Sequence, residues 1–328
     1  PADAPLTEEA VVAHVHPLFS RVLAREEIYL ANHSLGRPLD QTALDVQEAT
    51  DAWYGKLDEA WEDWMNEIQA FRTRTAMLIG APRPDCIAPK TSAGQGLRTV
   101  LNASPSSMRV VTTRGEFDSI DFILKVYAQA GRIDLKVVEP DADGRFQADA
   151  LLDAMGDAPG LFVVSMVMFG TGQVVSGLEE LVAQAHARGA RVLLDLYHAV
   201  GVIPVDVARL DADFAIGGSY KYLRGGTGAC WLYLHPRHLD GSLVPLDTGW
   251  FAKQEPFGYE RHDPPRFGPG GDAFLESTPP ILPYYQARAG LEFTLVMGVA
   301  RLRAYSLEQQ RTLVAALEAV GIPAEGGR

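Results

Sequence analysis

The chain has 328 residues, 47% hydrophobic and 22% charged, an ordinary soluble composition with length for one large domain and a smaller one. A net charge of −13 without a basic stripe argues against nucleic acid and anionic membrane surfaces as partners. No apolar run is long enough to span a bilayer and no secretory signal is evident, so a cytoplasmic location is expected. The first residue is Pro1 rather than Met, compatible with removal of N-terminal sequence.

Apolar positions at helical spacing predict a helix over Glu8–Leu30 and a second helical stretch over Leu39–Ile79. In the latter, Trp53, Leu57, Trp61, Trp64, Met65 and Ile68 recur at three- and four-residue steps, a stripe read mostly as core packing. From Asp85 onward the pattern changes. Strands are expected at Cys86–Ala88, Arg109–Thr112, Asp134–Val138, Leu161–Met166, Arg191–Leu196, Phe214–Ile216 and Ala229–Leu234. Helices are expected at Gly94–Asn102, Ser119–Ala130, Gln147–Ala154 and Leu178–Arg188. This alternation defines an α/β protein with a mostly parallel sheet covered by helices on both faces. Phe251–Pro283 reads as a long ordered loop, and Gly290–Val320 as helix again. The two cysteines, Cys86 and Cys230, fall in apolar stretches without metal-like spacing and read as buried thiols; no metal site is expected.

Ligands of such sheets bind beyond the carboxyl ends of the strands. Three segments stand there. Thr91-Ser92 opens a helix, where free N–H groups and hydroxyls suit a phosphate; the plainer reading is an N-cap. Asp195 ends a buried strand, where a carboxylate calls for a cationic partner; the plainer reading is a cap of the next segment. Lys221, one of only six lysines, lies between two tyrosines and before Gly225-Gly226-Thr227-Gly228. Burial makes a lysine a usable nucleophile toward an aldehyde; the plainer reading is a lysine that snorkels to solvent. A phosphate cradle, a buried carboxylate and a buried lysine are together the fixed points that pyridoxal 5'-phosphate (PLP) needs.

The residues around these points resemble the kynureninase family, within the class V aminotransferase superfamily of PLP fold type I. The segments that carry the resemblance run from Ile28 to about Leu282. They are Ile28–Gly36, Phe169-Gly170-Thr171-Gly172-Gln173, Asp195-Leu196-Tyr197-His198-Ala199-Val200-Gly201, Ser219-Tyr220-Lys221-Tyr222-Leu223, Gly249-Trp250-Phe251 and Ser277–Leu282. The resemblance implies a large PLP-binding domain over residues 31–289, an N-terminal helical segment over 1–30 packing with a small domain, and the start of that small α/β domain, incomplete, over 290–328. It implies Lys221 as the Schiff-base lysine and Asp195 as the partner of the pyridine nitrogen. His198 and Ser165 would lie near the ring and Phe117 would stack on it. Thr91, Ser92 and Tyr220 would hold the phosphate. Trp250 and Thr278 would reach it from the neighbouring subunit of a homodimer. Tyr220 is the candidate for proton transfers at the leaving group, and His33 and Lys56 are candidates for contacting the amino-acid substrate.

The implied reaction is hydrolysis of L-kynurenine or 3-hydroxykynurenine to anthranilate or 3-hydroxyanthranilate plus L-alanine. Three departures bear on it. His33 replaces the family's Asn. Ile120 aligns with a family carboxylate, Asp121 falling one residue late. The family's C-terminal arginine for the substrate carboxylate does not occur before Arg328. Transamination or β-elimination of another amino acid, or a catalytically decayed PLP-binding homologue, are the alternatives. A desulfurase is disfavoured because it needs an exposed Cys, and an NAD enzyme because no G-x-G-x-x-G follows a first strand.

Overall fold

All seven apolar runs become strands of one sheet in the computed structural model, which describes residues 5–157 and 159–323. The outermost residues of the two expected terminal segments, 1–4 and 324–328, lie outside the described residues. The strands are β1 (Ile87–Lys90), β2 (Met108–Thr113), β3 (Ile133–Val138), β4 (Gly160–Ser165), β5 (Arg191–Asp195), β6 (Phe214–Gly218) and β7 (Cys230–Leu234). Their order is β1-β7-β6-β5-β4-β2-β3. β2 to β6 pair in parallel, whereas β7 runs antiparallel to both β6 and β1.

Both faces of the sheet are covered. Along β5, Val192 and Leu194 enter one core cluster and Leu193 enters the other, all fully buried. This is why that strand is apolar at consecutive positions instead of alternating. Each such side chain contributes about 1.5–3 kcal/mol by burial. The covering helices Ala93–Asn102, Asp118–Gln129, Ala148–Met155 and Leu178–Ala187 match the expected ones to within a residue at either end.

Four expectations change. The N-terminal helix ends at Leu23, not Leu30, and is a chain of short α, π and 3-10 turns; Pro17, lacking an N–H, sits in the 3-10 turn His16–Phe19. The stretch from Leu39 breaks into Gln41–Lys56 and Ala60–Ile79, because Leu57 takes φ +52°. Its aromatic stripe divides too. Ile68 joins the core, but Trp53 is exposed, and Trp61 and Trp64 pack edge to face beside Phe257 and Phe251. Cys86 lies in a 3-10 turn before β1, buried as expected. The last helix starts earlier, at Leu282, and Gly298 at φ +78° divides it into Leu282–Met297 and Val299–Ala319. Among the described residues, no helix is long and apolar enough to cross a membrane.

Candidate active site

The parallel strands end at Thr113, Ser165, Asp195 and Gly218, side by side along the sheet. Asp195 is buried and accepts a hydrogen bond from the Tyr197 N–H at 2.8 Å. Burial lifts its carboxyl to about 6, opposed by that N–H and by the charge of Lys221. Asp195 therefore caps its own turn, as the plainer reading held, and keeps a carboxylate in the sheet that only a cation compensates.

Lys221 does not snorkel. It is 5% exposed, and its Nζ lies 2.7 Å from His198 Nε2. The aromatic faces of Phe117, Tyr197 and Tyr220 surround it at 5.1, 5.4 and 5.6 Å. Burial lowers its amine to about 8, with Asp195 acting the other way. His198 is pushed down to about 4 by burial, then by the charges of Lys221 and His33. Near neutral pH the imidazole is thus neutral, free to accept from Lys221.

The local fold explains this placement. Beyond β6 the chain turns back at once: Gly225 N–H bonds to Ser219 O at 2.7 Å, and Arg224 N–H to Lys221 O at 3.1 Å. The segment before residue 37 seals the turn from outside, with Gly36 N–H donating to Tyr220 O at 2.7 Å. A Cβ at Gly36 would collide with the Lys221 carbonyl, so only glycine permits this approach. The same segment brings His33 beside His198.

Ser92 caps the helix Ala93–Asn102, its Oγ accepting from Gln95 N–H at 3.1 Å, while the Thr91 N–H and Oγ1 donate to Gln95 Oε1. The capping role is real, and both residues also line a cleft of about 340 Å3 with Phe117, Asp195, His198, Tyr220 and Lys221. Arg98, one turn along that helix, lines it too; it was not among the expected residues, although its distance from the helix start could have marked it. The cleft thus offers a carboxylate awaiting a cation, an amine that is neutral above about pH 8, an aromatic ring, and a helix N-terminus with hydroxyls and a guanidinium. These features fit PLP.

Other expected residues lie elsewhere. Lys56 is exposed and pairs with Asp63 at 2.7 Å, in a separate groove with Glu48 and Arg288. Trp250 Nε1 donates to Thr278 Oγ1 at 3.0 Å; Thr278 lines a second cleft, of about 370 Å3, that shares Thr91 with the first. Within one chain neither residue lines the Lys221 cleft. Ile120 is core, and Asp121 pairs with Lys125 at 2.6 Å and is not among the residues lining the Lys221 cleft. Another carboxylate of this segment is buried: Glu116, next to Phe117 in the chain, hydrogen-bonded to Thr113 and Ser165 and lifted by burial to about 7. Ser165 lies in register with Asp195. Cys230 is 2% exposed and receives the Tyr197 hydroxyl at 2.8 Å.

Comparison with known proteins agrees with this geometry. The class V aminotransferase family model matches residues 45–323. A kynureninase of Xanthomonas campestris pv. campestris (strain B100) is 31% identical over 301 residues, covering 86% of this chain and 70% of the relative. A kynureninase of Deinococcus radiodurans is 30% identical over 302 residues, covering 89% and 71%. Among solved structures, the apo cysteine desulfurase of Thermococcus onnurineus NA1 superposes with a TM-score of 0.80 at 21% identity, covering 99% of this chain and 80% of that one. A C-DES mutant with glycine covalently linked to its PLP cofactor gives 0.77 at 20%, covering 90% and 77%. The chain belongs to the class V aminotransferase family, PLP-dependent enzymes of fold type I. Within that family it is a kynureninase-like member.

Proposed function

We propose that the protein hydrolyses L-kynurenine or 3-hydroxykynurenine to anthranilate or 3-hydroxyanthranilate plus L-alanine. The observation that carries this reading is the meeting of Lys221, His198, Asp195 and Phe117 in one cleft of a chain whose relatives are kynureninases. Bound PLP supplies an electron sink for the bond-breaking chemistry at the amino-acid substrate.

The chain's own residues do the rest. Lys221, neutral above about pH 8, offers its amine to the cofactor's aldehyde and later moves the substrate's Cα proton. His198 accepts the Lys221 proton contact in the resting site. Asp195 would hold the proton on the pyridine nitrogen, and Phe117 would stack on the ring. Thr91, Ser92 and Arg98 bind the phosphate, together with Tyr220. Burial raises the Tyr220 phenol, so it stays protonated at neutral pH and can donate at the leaving group. Trp250 and Thr278, set apart from the cleft of their own chain, reach the phosphate of the neighbouring subunit in a homodimer. The described residues of the 1–30 and 290–328 segments form a unit beside the large domain. Two contacts support that division: Tyr305 Oη donates to Glu8 Oε2 at 2.5 Å, and the rings of Phe19 and Phe293 meet at 5.5 Å.

A second reading, transamination or β-elimination of another amino acid, draws on His33 and on the apolar Ile120. A desulfurase reading is opposed by the burial of both cysteines. The test is to add PLP to the purified protein, record its visible absorbance, then supply kynurenine and follow anthranilate fluorescence. We expect a visible band and anthranilate, both lost in Lys221→Ala. A band without anthranilate favours the second reading. No band, with Lys221→Ala indistinguishable from wild type, sinks the cofactor assignment.

A further inference from the structure

Glu116 is a buried titratable residue that the roles above leave unused, directly before Phe117 of the cleft lining. It lies just past β2, 3% exposed, and each of its oxygens has a defined partner. Oε1 accepts from Thr113 Oγ1 at 2.8 Å and from the Ser165 N–H at 3.1 Å. Oε2 faces Ser165 Oγ at 2.5 Å. Both donors on Oε1 keep a proton off that oxygen, and a serine hydroxyl carries only one hydrogen.

We propose that Glu116 is a positioning residue that sets the direction of the Ser165 hydroxyl proton, toward Glu116 when it is a carboxylate and toward the cofactor cleft when it is the acid. This rests on the reading of the cleft as a PLP site. The proton balance is simple. A carboxylate Oε2 accepts the Ser165 hydrogen. Once Oε2 takes a proton from solvent, it donates to Ser165 Oγ, and the serine's own hydrogen is released. Ser165 is in register with Asp195, so the freed hydrogen emerges beside the residue assigned to the pyridine nitrogen.

The charged groups facing Glu116 fix where the change occurs. From β5, Asp195 presents a like charge, itself facing Lys221. On its own segment, Arg114 turns to the surface and pairs with Glu139. Thr113 and Ser165 contribute hydroxyls only. Burial, with Asp195 adding to it, outweighs the hydrogen bonds and lifts Glu116 to about 7. The arrangement therefore changes over in the neutral range.

Two measurements test this. In protein without cofactor, infrared difference spectra of wild type against Glu116→Gln between pH 5 and 9 read the protonated carboxyl. We expect its loss with a midpoint near 7, moved upward by about one pH unit in Ser165→Ala, which removes a bond favouring the charged form. A midpoint below about 5 overturns the proposal. With PLP bound, the glutamine variant keeps an N–H donor toward Ser165 at every pH. Its visible spectrum should then lack the shift near pH 7 that wild type shows. A glutamine variant that titrates like wild type overturns the role of Glu116 alone. A wild type without any visible band overturns the cofactor reading and this role with it.

Discussion

Asp195 sits at the bottom of the cleft with one N–H donor and the charge of Lys221 to compensate it. Replacing it with Asn removes the charge while keeping the shape and the Tyr197 contact. A charge-assisted hydrogen bond contributes about 1.5–3 kcal/mol. Asp195→Asn should therefore weaken PLP binding roughly tenfold to hundredfold, measured by equilibrium titration of the visible band; unchanged affinity would count against the pyridine-nitrogen role. Asp195 and Lys221 were legible in the sequence because they terminate apolar strands, where ligands of such sheets bind. Glu116 obeys the same rule but lies in a charged, glycine-containing turn, Arg114-Gly115-Glu116, where nothing in the local pattern marks it as buried. Lys56 lies outside the Lys221 cleft of its own chain and pairs with Asp63 beside the helix break at Leu57, which a leucine does not signal.

Strands and covering helices were readable because burial on both faces imposes continuous apolar runs, and helical faces impose their own period. The break at Leu57 was not, since leucine rarely takes a positive φ and nothing in its residue type signals the +52° it adopts there. The start of β6 carries a feature the sequence did not show. Asp213 is buried there, accepting from the Val192 N–H at 2.9 Å and contacting His186 and His238 at 2.9 and 2.8 Å. Burial pushes its carboxyl up, but these three bonds outweigh it and hold it below the ordinary aspartate range. A depressed carboxylate stabilises the fold above its unfolded pKa, and that contribution disappears as pH falls through the folded value. Asp213→Ala should cost about 2–4 kcal/mol at pH 7, read by denaturant unfolding. The gap from wild type should narrow toward pH 3; a gap independent of pH would contradict the assignment.

At the scale of the molecule, the separation of Trp250 and Thr278 from the Lys221 cleft of the same chain makes the homodimer testable. If sites are shared, Lys221→Ala and Thr278→Ala subunits are each defective alone. Mixed subunits should recover about a quarter of wild-type activity, because half the dimers are hybrid and each hybrid holds one intact site. No recovery after unfolding and reassembly would place the two residues outside a shared site. The sheet itself imposes a further condition. β1 is an edge strand whose one neighbour, β7, is made about 140 residues later. At about 5–20 residues per second on the ribosome, Ile87 and Ala88 wait roughly seven to thirty seconds for their partner, apolar and unpaired. β1 is short, and its third residue is Pro89, which has no N–H to offer a passing strand. The segment that leads into the Thr91-Ser92 turn of the cleft is thereby shielded, during synthesis, from pairing with the wrong chain.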